Sequence, residues 1–374
     1  MLRRIGVLTG GGDCAGLNSA IKWVVKTATD PQLSAHHGDT WEVVGIREGW
    51  RGLIEVDPSD PESVAKWTSN LDELVVRTWD RQGGTVLGSS RTNPFNPKIG
   101  KGQQCADNIA GLGLEAVVAI GGEDTLSVAH RLYRDLGQKV VGIPKTIDRD
   151  LSGTDYTLGY DTALNVITEE VDRLRTTAGS HNRLFVVEVM GRHAGWLALE
   201  GGQAAGAHVI LIPECAFEVS RVAELLERRR AAGVRYDIVI VSEGAKIKGR
   251  DEVYLSEKVD SFGHKVLGGI SETLAKELEN QTGFEARHVV LSHIQRGGTP
   301  SARDRLMGRH FGIAAVDLIL EQDYGRMVAY RDGQITSVSL KRAVERLYTV
   351  DVERHYDPTR YNGQRSSLIP RKRQ

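Results

Sequence analysis

The sequence predicts an α/β fold of doubly wound sheets, and three observations carry that expectation. Short apolar strands alternate with helical stretches, and six of those strands run straight into polar loops that contain glycine. No apolar run approaches the roughly 20 residues needed to cross a bilayer. In such sheets the loops at the carboxyl ends of the strands hold the ligands.

The 374 residues, 40% of them hydrophobic, are enough for two or three domains with cores of their own. Lys plus Arg total 48 against 49 Asp plus Glu, so there is no broad electrostatic footprint for nucleic acid or an anionic membrane. Phosphate binding then has to come from local placement. Cys14, Cys105 and Cys215 are far apart and lack metal-ligand spacing, which points to reduced thiols and a cytoplasmic location. The apolar run after the basic Met1 to Arg4 is too short for the core of a signal peptide.

Arg4-Ile5-Gly6-Val7-Leu8 reads as the first strand, and Thr9-Gly10-Gly11-Gly12-Asp13 turns it into a helix running to about Thr27. Consecutive glycines let backbone N–H groups approach an anion, and the helix start adds unpaired N–H groups, so this turn is a candidate phosphate cradle. It is neither a Walker loop nor a Gly-x-Gly-x-x-Gly dinucleotide turn, and on its own a plain tight turn explains it equally well. Trp41 to Ile46 is the next strand, and Gln82 to Arg91 is a second glycine-rich loop. Arg91 suits either a phosphate or a solvated surface.

Glu115 to Ile120 is a continuous apolar strand that runs into Gly121-Gly122-Glu123-Asp124-Thr125 and a helix with Leu126, Ala129, Tyr133 and Leu136 on one face, closed by Gly137. Acids at a helix start suit its dipole, and a magnesium ion beside a polyphosphate uses the same oxygens. Lys139-Val140-Val141 leads into Gly142 to Asp150. Extended geometry sets Asp148 and Asp150 on one face with Thr146, and Lys145 and Arg149 on the other, so carboxylates, a hydroxyl and a cation fall within one side chain's reach. Turn capping is the plainer role for such residues after a strand.

Asp161 is placed to cap a helix with Ala163, Val166, Ile167, Val171 and Leu174 on its core face. Leu184 to Val189 leads into Met190-Gly191-Arg192-His193-Ala194-Gly195, Asp237 to Val241 into Ser242-Glu243-Gly244, and Val289 to Leu291 into Ser292-His293-Ile294-Gln295-Arg296-Gly297-Gly298. The stretch beyond Tyr361, with Arg371-Lys372-Arg373, reads as a solvated extension.

Taken in order, Gly10 to Asn18, Gly121 to Thr125, Pro144 to Asp148, Met190 to Gly195 and His293 to Gly298 resemble the ordered motifs of the phosphofructokinase family, over Ile5 to about Asp304. The resemblance implies two similar Rossmann-like domains with the active site in the cleft between them. It assigns a phosphoryl-donor domain to residues 1–158 plus about 297–345, a sugar-phosphate domain to 159–296 and a C-terminal extension to 346–374. It implies magnesium, fructose 6-phosphate as acceptor, and a homodimer or homotetramer.

Carried onto this sequence, the resemblance makes Asp148 the general base toward the sugar's 1-hydroxyl. Thr146 and Asp150 orient that hydroxyl and the metal-bound phosphate, and Lys145 and Arg192 complete the catalytic set. Met190, Gly191, Arg192 and Glu243 line the sugar, and His293 and Arg296 hold its 6-phosphate, joined by Arg183 and Arg287 from a neighbouring subunit. Gly11, Gly12, Arg91, Gly122, Asp124, Thr125 and Lys145 hold the donor, and Glu123 supports the metal. Phosphoryl transfer asks for such cradles, cations and a base more than for covalent chemistry.

Members that use ATP commonly carry glycine at the positions of Asp124 and Lys145, and members that use pyrophosphate carry aspartate and lysine, although some ATP users share the lysine. A carboxylate at Asp124 adds bulk and like charge where a nucleotide has to pass, so pyrophosphate is the expected donor and Asp124 weighs more than Lys145. Rival readings are an ATP-dependent enzyme, sedoheptulose 7-phosphate as a further acceptor, and a non-catalytic phosphate sensor. The family pattern is broken at Ala15, where proline is usual, at Arg149, where asparagine is usual, and at Glu123, where aspartate is commoner. Arg149 either faces away from the two acids or lowers their pKa values. Ile21 and Val25 stand where allosteric bacterial members have effector-binding arginines, so little nucleotide or phosphoenolpyruvate regulation is expected.

Overall fold

The computed structural model describes residues 2–32, 38–250, 254–259 and 265–365. In chain order its strands are β1 (Leu2–Thr9), β2 (Thr40–Ile46), β3 (Thr68–Leu71), β4 (Ala116–Gly121), β5 (Val140–Pro144), β6 (Leu184–Val189), β7 (Val209–Leu211), β8 (Asp237–Ser242), β9 (Tyr254–Val259), β10 (Lys265–Leu267), β11 (Ala286–Val290), β12 (Arg326–Arg331), β13 (Gln334–Ser339), β14 (Tyr356–Asp357) and β15 (Asn362–Gly363). The chain divides into two compact units. One comprises Met1–Ala163, Lys258–Lys265 and Arg296–Tyr348, and the other Leu164–Glu257, Val266–Gln295 and Thr349–Gln374.

The first unit is built on a seven-stranded sheet in the order β13-β12-β5-β4-β1-β2-β3. Its central pairs are parallel, and β3 and β13 run antiparallel at the edges. From β1 the chain steps to β2 on one side and later returns to β4 on the other. That reversal of direction opens a crevice at the carboxyl ends of β1 and β4, where the two diglycine loops begin. Leu8, Val117, Leu126, Leu132 and Met327 belong to the core beneath them.

Helix Leu17–Ala28 packs on helix Ala302–Leu320 at close range. A Cβ on Gly308 would meet the Ser19 Cβ at 2.8 Å, and one on Gly312 the Ala20 carbonyl oxygen at 2.8 Å, so both positions need glycine. Asp304, on the second of these helices, is fully buried. Its carboxylate accepts from Tyr156 Oη (2.8 Å), Gly159 N (2.8 Å), Thr162 N (2.9 Å) and Thr162 Oγ1 (2.6 Å).

This corrects two sequence expectations. The backbone donors at the start of helix Tyr160–His181 go to Asp304, and Asp161 instead accepts from Ser301 Oγ at 2.6 Å. In helix Glu123–Leu136 the core face is Leu126, Val128, Ala129 and Leu132, and Tyr133 is 42% exposed.

The second unit has a four-stranded parallel sheet in the order β11-β6-β8-β7. Its strands are mostly apolar, and among their buried polar residues is Glu188, whose carboxylate accepts from Gly269 N, Ser271 N and Ser271 Oγ at the start of helix Ile270–Thr282. Residues 349–363 are packed along β7, so the stretch set apart by sequence as an extension is part of this unit up to there. Arg371, Lys372 and Arg373 lie outside the described residues. Among the described residues no helix is long and apolar enough to cross a membrane, and all three cysteines are free.

Candidate active site

In the first unit the loops after β1, β4 and β5 close on one another. Gly10 N donates to Ile120 O (3.0 Å), Lys145 N donates to Gly121 O (3.0 Å), and a Cβ on Gly122 would lie 3.3 Å from the Lys145 carbonyl oxygen. The buried side chain of Thr125 fills the space under Gly10 and Gly121, where an added Cβ would meet it at 2.6 Å and 2.3 Å respectively. Glu123 and Asp124 occupy the first turn of that helix, and Glu123 Oε1 accepts from Ser127 Oγ at 2.8 Å.

The Lys145 side chain, 4% exposed, is the floor of the first glycine loop. Its Nζ donates to Gly12 O and lies 3.4 Å from where a Gly11 Cβ would be. Gly11 is left-handed at φ 77°, and a Cβ on Gly12 would fall 1.8 Å from Arg296 Nη1, so the guanidinium lies directly across that backbone. Burial lowers the Lys145 pKa and the nearby Arg296 adds to that, while Cys14, Asp13 and Asp150 act the other way. Two such cations, Lys145 and Arg296, set against one glycine loop are suited to a compact polyanion.

The second glycine-rich loop is laid against the first. Gly11 N donates to Ser90 O (3.1 Å) and Ser89 Oγ donates to Gly11 O (2.5 Å). Asn18 pins it from the first helix, its Oδ1 accepting from Val86 N and its Nδ2 donating to Gln82 O and Gly83 O. Thr9 Oγ1 donates to Gly88 O. Arg91 follows on this pinned loop.

After β5, Thr146 Oγ1 accepts from Asp148 N (3.1 Å) and Thr146 O accepts from Thr157 Oγ1 (2.6 Å), which fixes the turn that carries both acids. Burial first, and then the neighbouring Asp148, push the Asp150 carboxyl up to about 7, while Thr146 and Lys145 oppose the rise. Two carboxyls so placed share protons as a pair. Arg149, between them, is left-handed at φ 53°, and its guanidinium rests over the rings of Tyr160 (5.3 Å) and Tyr348 (6.0 Å). The left-handed region is one that asparagine tolerates well and arginine poorly. Stacking on two tyrosines compensates for that.

In the second unit the ends of β6, β8 and β11 converge. Glu243 N donates to Val189 O (2.8 Å), Gly244 N and Ser242 Oγ donate to Gly191 O (3.2 and 2.5 Å), and a Cβ on Gly244 would strike the Arg192 carbonyl oxygen. Gln295, nearly fully buried, accepts from Met190 N (3.2 Å) and donates to Ser292 O (2.9 Å), tying the turn that carries His293 to the loop that carries Arg192. Met190, Gly191, Arg192, Glu243 and His293 are thus on loops held to one another.

Arg183 and Arg287 are placed elsewhere in this unit. Arg183 precedes β6 and Met190 follows it, a separation of about 20 Å along the strand. Both arginines converge on Glu285 Oε1, Arg183 at 2.9 Å. The Arg183 bond, with Arg287 close by, lowers the pKa of that carboxyl.

Thr9, Asn18, Gln295 and Asp304 were not picked out as site residues from the sequence. Thr9 and Asn18 stand within or beside the first glycine motif, which was the available signal. Gln295 and Asp304 act through partners distant in sequence.

Among the described residues no cluster of three or more His, Cys, Asp or Glu is assembled as a metal cage. Glu123 and Asp124, together in the first turn of helix Glu123–Leu136, are carboxylates that fit a magnesium ion, which keeps several waters and is held by one or two carboxylates plus substrate phosphates.

Comparison with known proteins agrees with this geometry. The phosphofructokinase family matches residues 4–319. The chain is 50% identical over 348 residues to a pyrophosphate–fructose 6-phosphate 1-phosphotransferase of Streptomyces coelicolor, covering 93% of this chain and 96% of that one. It is also 46% identical to ATP-dependent 6-phosphofructokinase 3 of the same organism, covering 94% of this chain and 98% of that one. Among solved structures, phosphofructokinase from Saccharomyces cerevisiae superimposes with a TM-score of 0.74 at 31% identity, over 92% of this chain and 45% of that longer one. Strand-end loops, glycine cradle, acid pair and sequence relatives together place the chain in the phosphofructokinase family.

Proposed function

We propose that the protein transfers a phosphoryl group from pyrophosphate to the 1-hydroxyl of fructose 6-phosphate, giving fructose 1,6-bisphosphate and phosphate, as a reversible step of glycolysis and gluconeogenesis in the cytoplasm. The observation that carries the reading is the buried Lys145 under Gly11 and Gly12, with Arg296 across the same backbone. A small donor without a nucleoside needs its binding energy at the phosphates, and these cations supply it there. An arriving polyanion also favours the charged form of the lysine, so donor binding and lysine protonation support each other.

Asp148 takes the proton of the attacking hydroxyl, oriented by the Thr146 turn, and Asp150 shares the proton load of the pair. Magnesium, held through Glu123 and the donor's oxygens, neutralises phosphate charge when bound. Asp124, in the first turn of helix Glu123–Leu136, sets the donor preference by like charge and bulk. Arg192, Met190, Gly191, Glu243 and His293 bind the sugar phosphate; Arg296, expected there from the resemblance, lies across Gly12 and serves the donor's phosphates instead. Arg183 and Arg287, held together by Glu285 at the far ends of their strands from Arg192, serve the 6-phosphate of a neighbouring subunit in a homo-oligomer. Ile21 and Val25 are fully buried apolar side chains, which supports little nucleotide or phosphoenolpyruvate regulation.

An ATP-dependent activity is the second reading, favoured by the ATP-dependent relative at 46% identity. One assay separates the two. With fructose 6-phosphate and magnesium, turnover is expected with pyrophosphate, and turnover with ATP alone refutes the donor assignment.

A further inference from the structure

We propose that residues 349–363 form a strap that positions the acceptor loop Met190 to Gly195 through Glu214, and so tune affinity for the sugar phosphate. The proposal rests on the reading of that loop as the acceptor site. The strap is built along β7, the edge strand of the sheet. Ile210 N donates to Tyr361 O (2.7 Å), Tyr356 Oη donates to Ile210 O (2.6 Å), and Asn362 Nδ2 donates to Ala207 O and His208 O (3.1 and 3.0 Å). Tyr356 and Tyr361 are buried, and Tyr361 meets Phe217 edge-on, so the segment has an apolar anchor as well as backbone bonds.

Glu214 joins this strap to the loop with a single atom. Its Oε1 accepts from Gly195 N (2.9 Å) and from Val350 N (2.7 Å). One residue further, the ring of Trp196 stands edge-on to His355 of the strap, with centroids 5.4 Å apart. The contact leaves no slack, since a Cβ on Gly195 would meet the Ile212 Cβ at 2.6 Å and Glu214 Oε2 at 2.7 Å. The first half of the loop is held separately, Met190 by Gln295 and Gly191 by Ser242. Arg192 therefore hangs between two anchors, and the strap provides the second.

The test uses the full-length protein. Glu214→Ala removes the shared acceptor, and each lost backbone hydrogen bond is worth about a factor of ten. The KM for fructose 6-phosphate is therefore expected to rise about tenfold while the KM for pyrophosphate moves less than about twofold. Glu214→Gln keeps an oxygen at the Oε1 position and restores the acceptor KM to within about threefold of the original. His355→Ala leaves Glu214 in place and raises the acceptor KM in the same direction. Amide exchange across residues 190–196 should quicken in Glu214→Ala and His355→Ala. Unchanged exchange there, or donor and acceptor KM values rising together, overturns the strap. Exchange is read without turnover, so an unaltered protein inactive toward fructose 6-phosphate with every donor would sink the functional reading and leave the strap still decided.

Discussion

Replacing Asp150 by asparagine isolates the electrostatic cost of the acid pair. In the folded protein this carboxyl is pushed from 3.8 to about 7, mainly by burial and by Asp148. A displacement of that size corresponds to about 4 kcal/mol against the ionised form. Asparagine also loses the Thr146 and Lys145 interactions that favour the carboxylate, so about half of it, ~2 kcal/mol, is expected as a net gain at pH 8. The folded pKa is raised above the unfolded one, so the native carboxyl contributes stability that is fully present below about pH 4 and lost as pH rises to about 7. Asp150→Asn has no such dependence. Thermal unfolding without substrates or divalent metal should therefore show the variant melting about 4–8 °C above the original protein at pH 8, with the gap closing toward pH 4.5. A gap independent of pH, or a less stable variant at pH 8, refutes the reasoning.

Other expectations follow from the same geometry. Asp124→Gly should raise kcat/KM with ATP about tenfold, the effect of removing one half-exposed like charge, and Lys145→Ala should depress pyrophosphate turnover; a donor panel reads both. Gly12→Ala drives a methyl into Arg296 and should cut kcat/KM at least tenfold with little change in melting temperature. Asp304→Asn turns an amide N–H donor against the Gly159 or Thr162 donors and should cost about 2–3 kcal/mol in urea unfolding.

The sheets and the glycine loops at their strand ends were legible because the pattern is local: apolar strands such as Ala116–Gly121 stop at glycines, and the helices after them carry a periodic core face. Strand alternation set Thr146, Asp148 and Asp150 on one extended face, but β5 ends at Pro144 and the chain turns at Ile147 and Asp148, and the sequence did not show that Lys145 lies against the glycine loop. What escaped depended on partners far along the chain. Asp304 looks like any acid at a helix start, and its role is fixed by Thr162, with which it has no local relation. Tyr133 fits the helical period yet lies beside Gly325, where the missing side chain makes room for its ring at the surface. Residues 349–363 are polar and rich in turns, and only the edge of β7 gives them a place. Arg149 was left between two readings, and its left-handed backbone turns the side chain onto tyrosines.

The Asp304 carboxylate also bears on how the molecule is born. The amides of Gly159 and Thr162 leave the ribosome well before their acceptor, which comes 142 residues after Thr162. At roughly 5–20 residues per second, that gap lasts many seconds. During it, the amino-terminal segment has its glycine loops but neither the helix that packs against Leu17–Ala28 nor the β12 and β13 flank of its sheet. The first unit is therefore completed late, and a chain stalled before residue 302 would expose the surface that Gly308 and Gly312 normally cover.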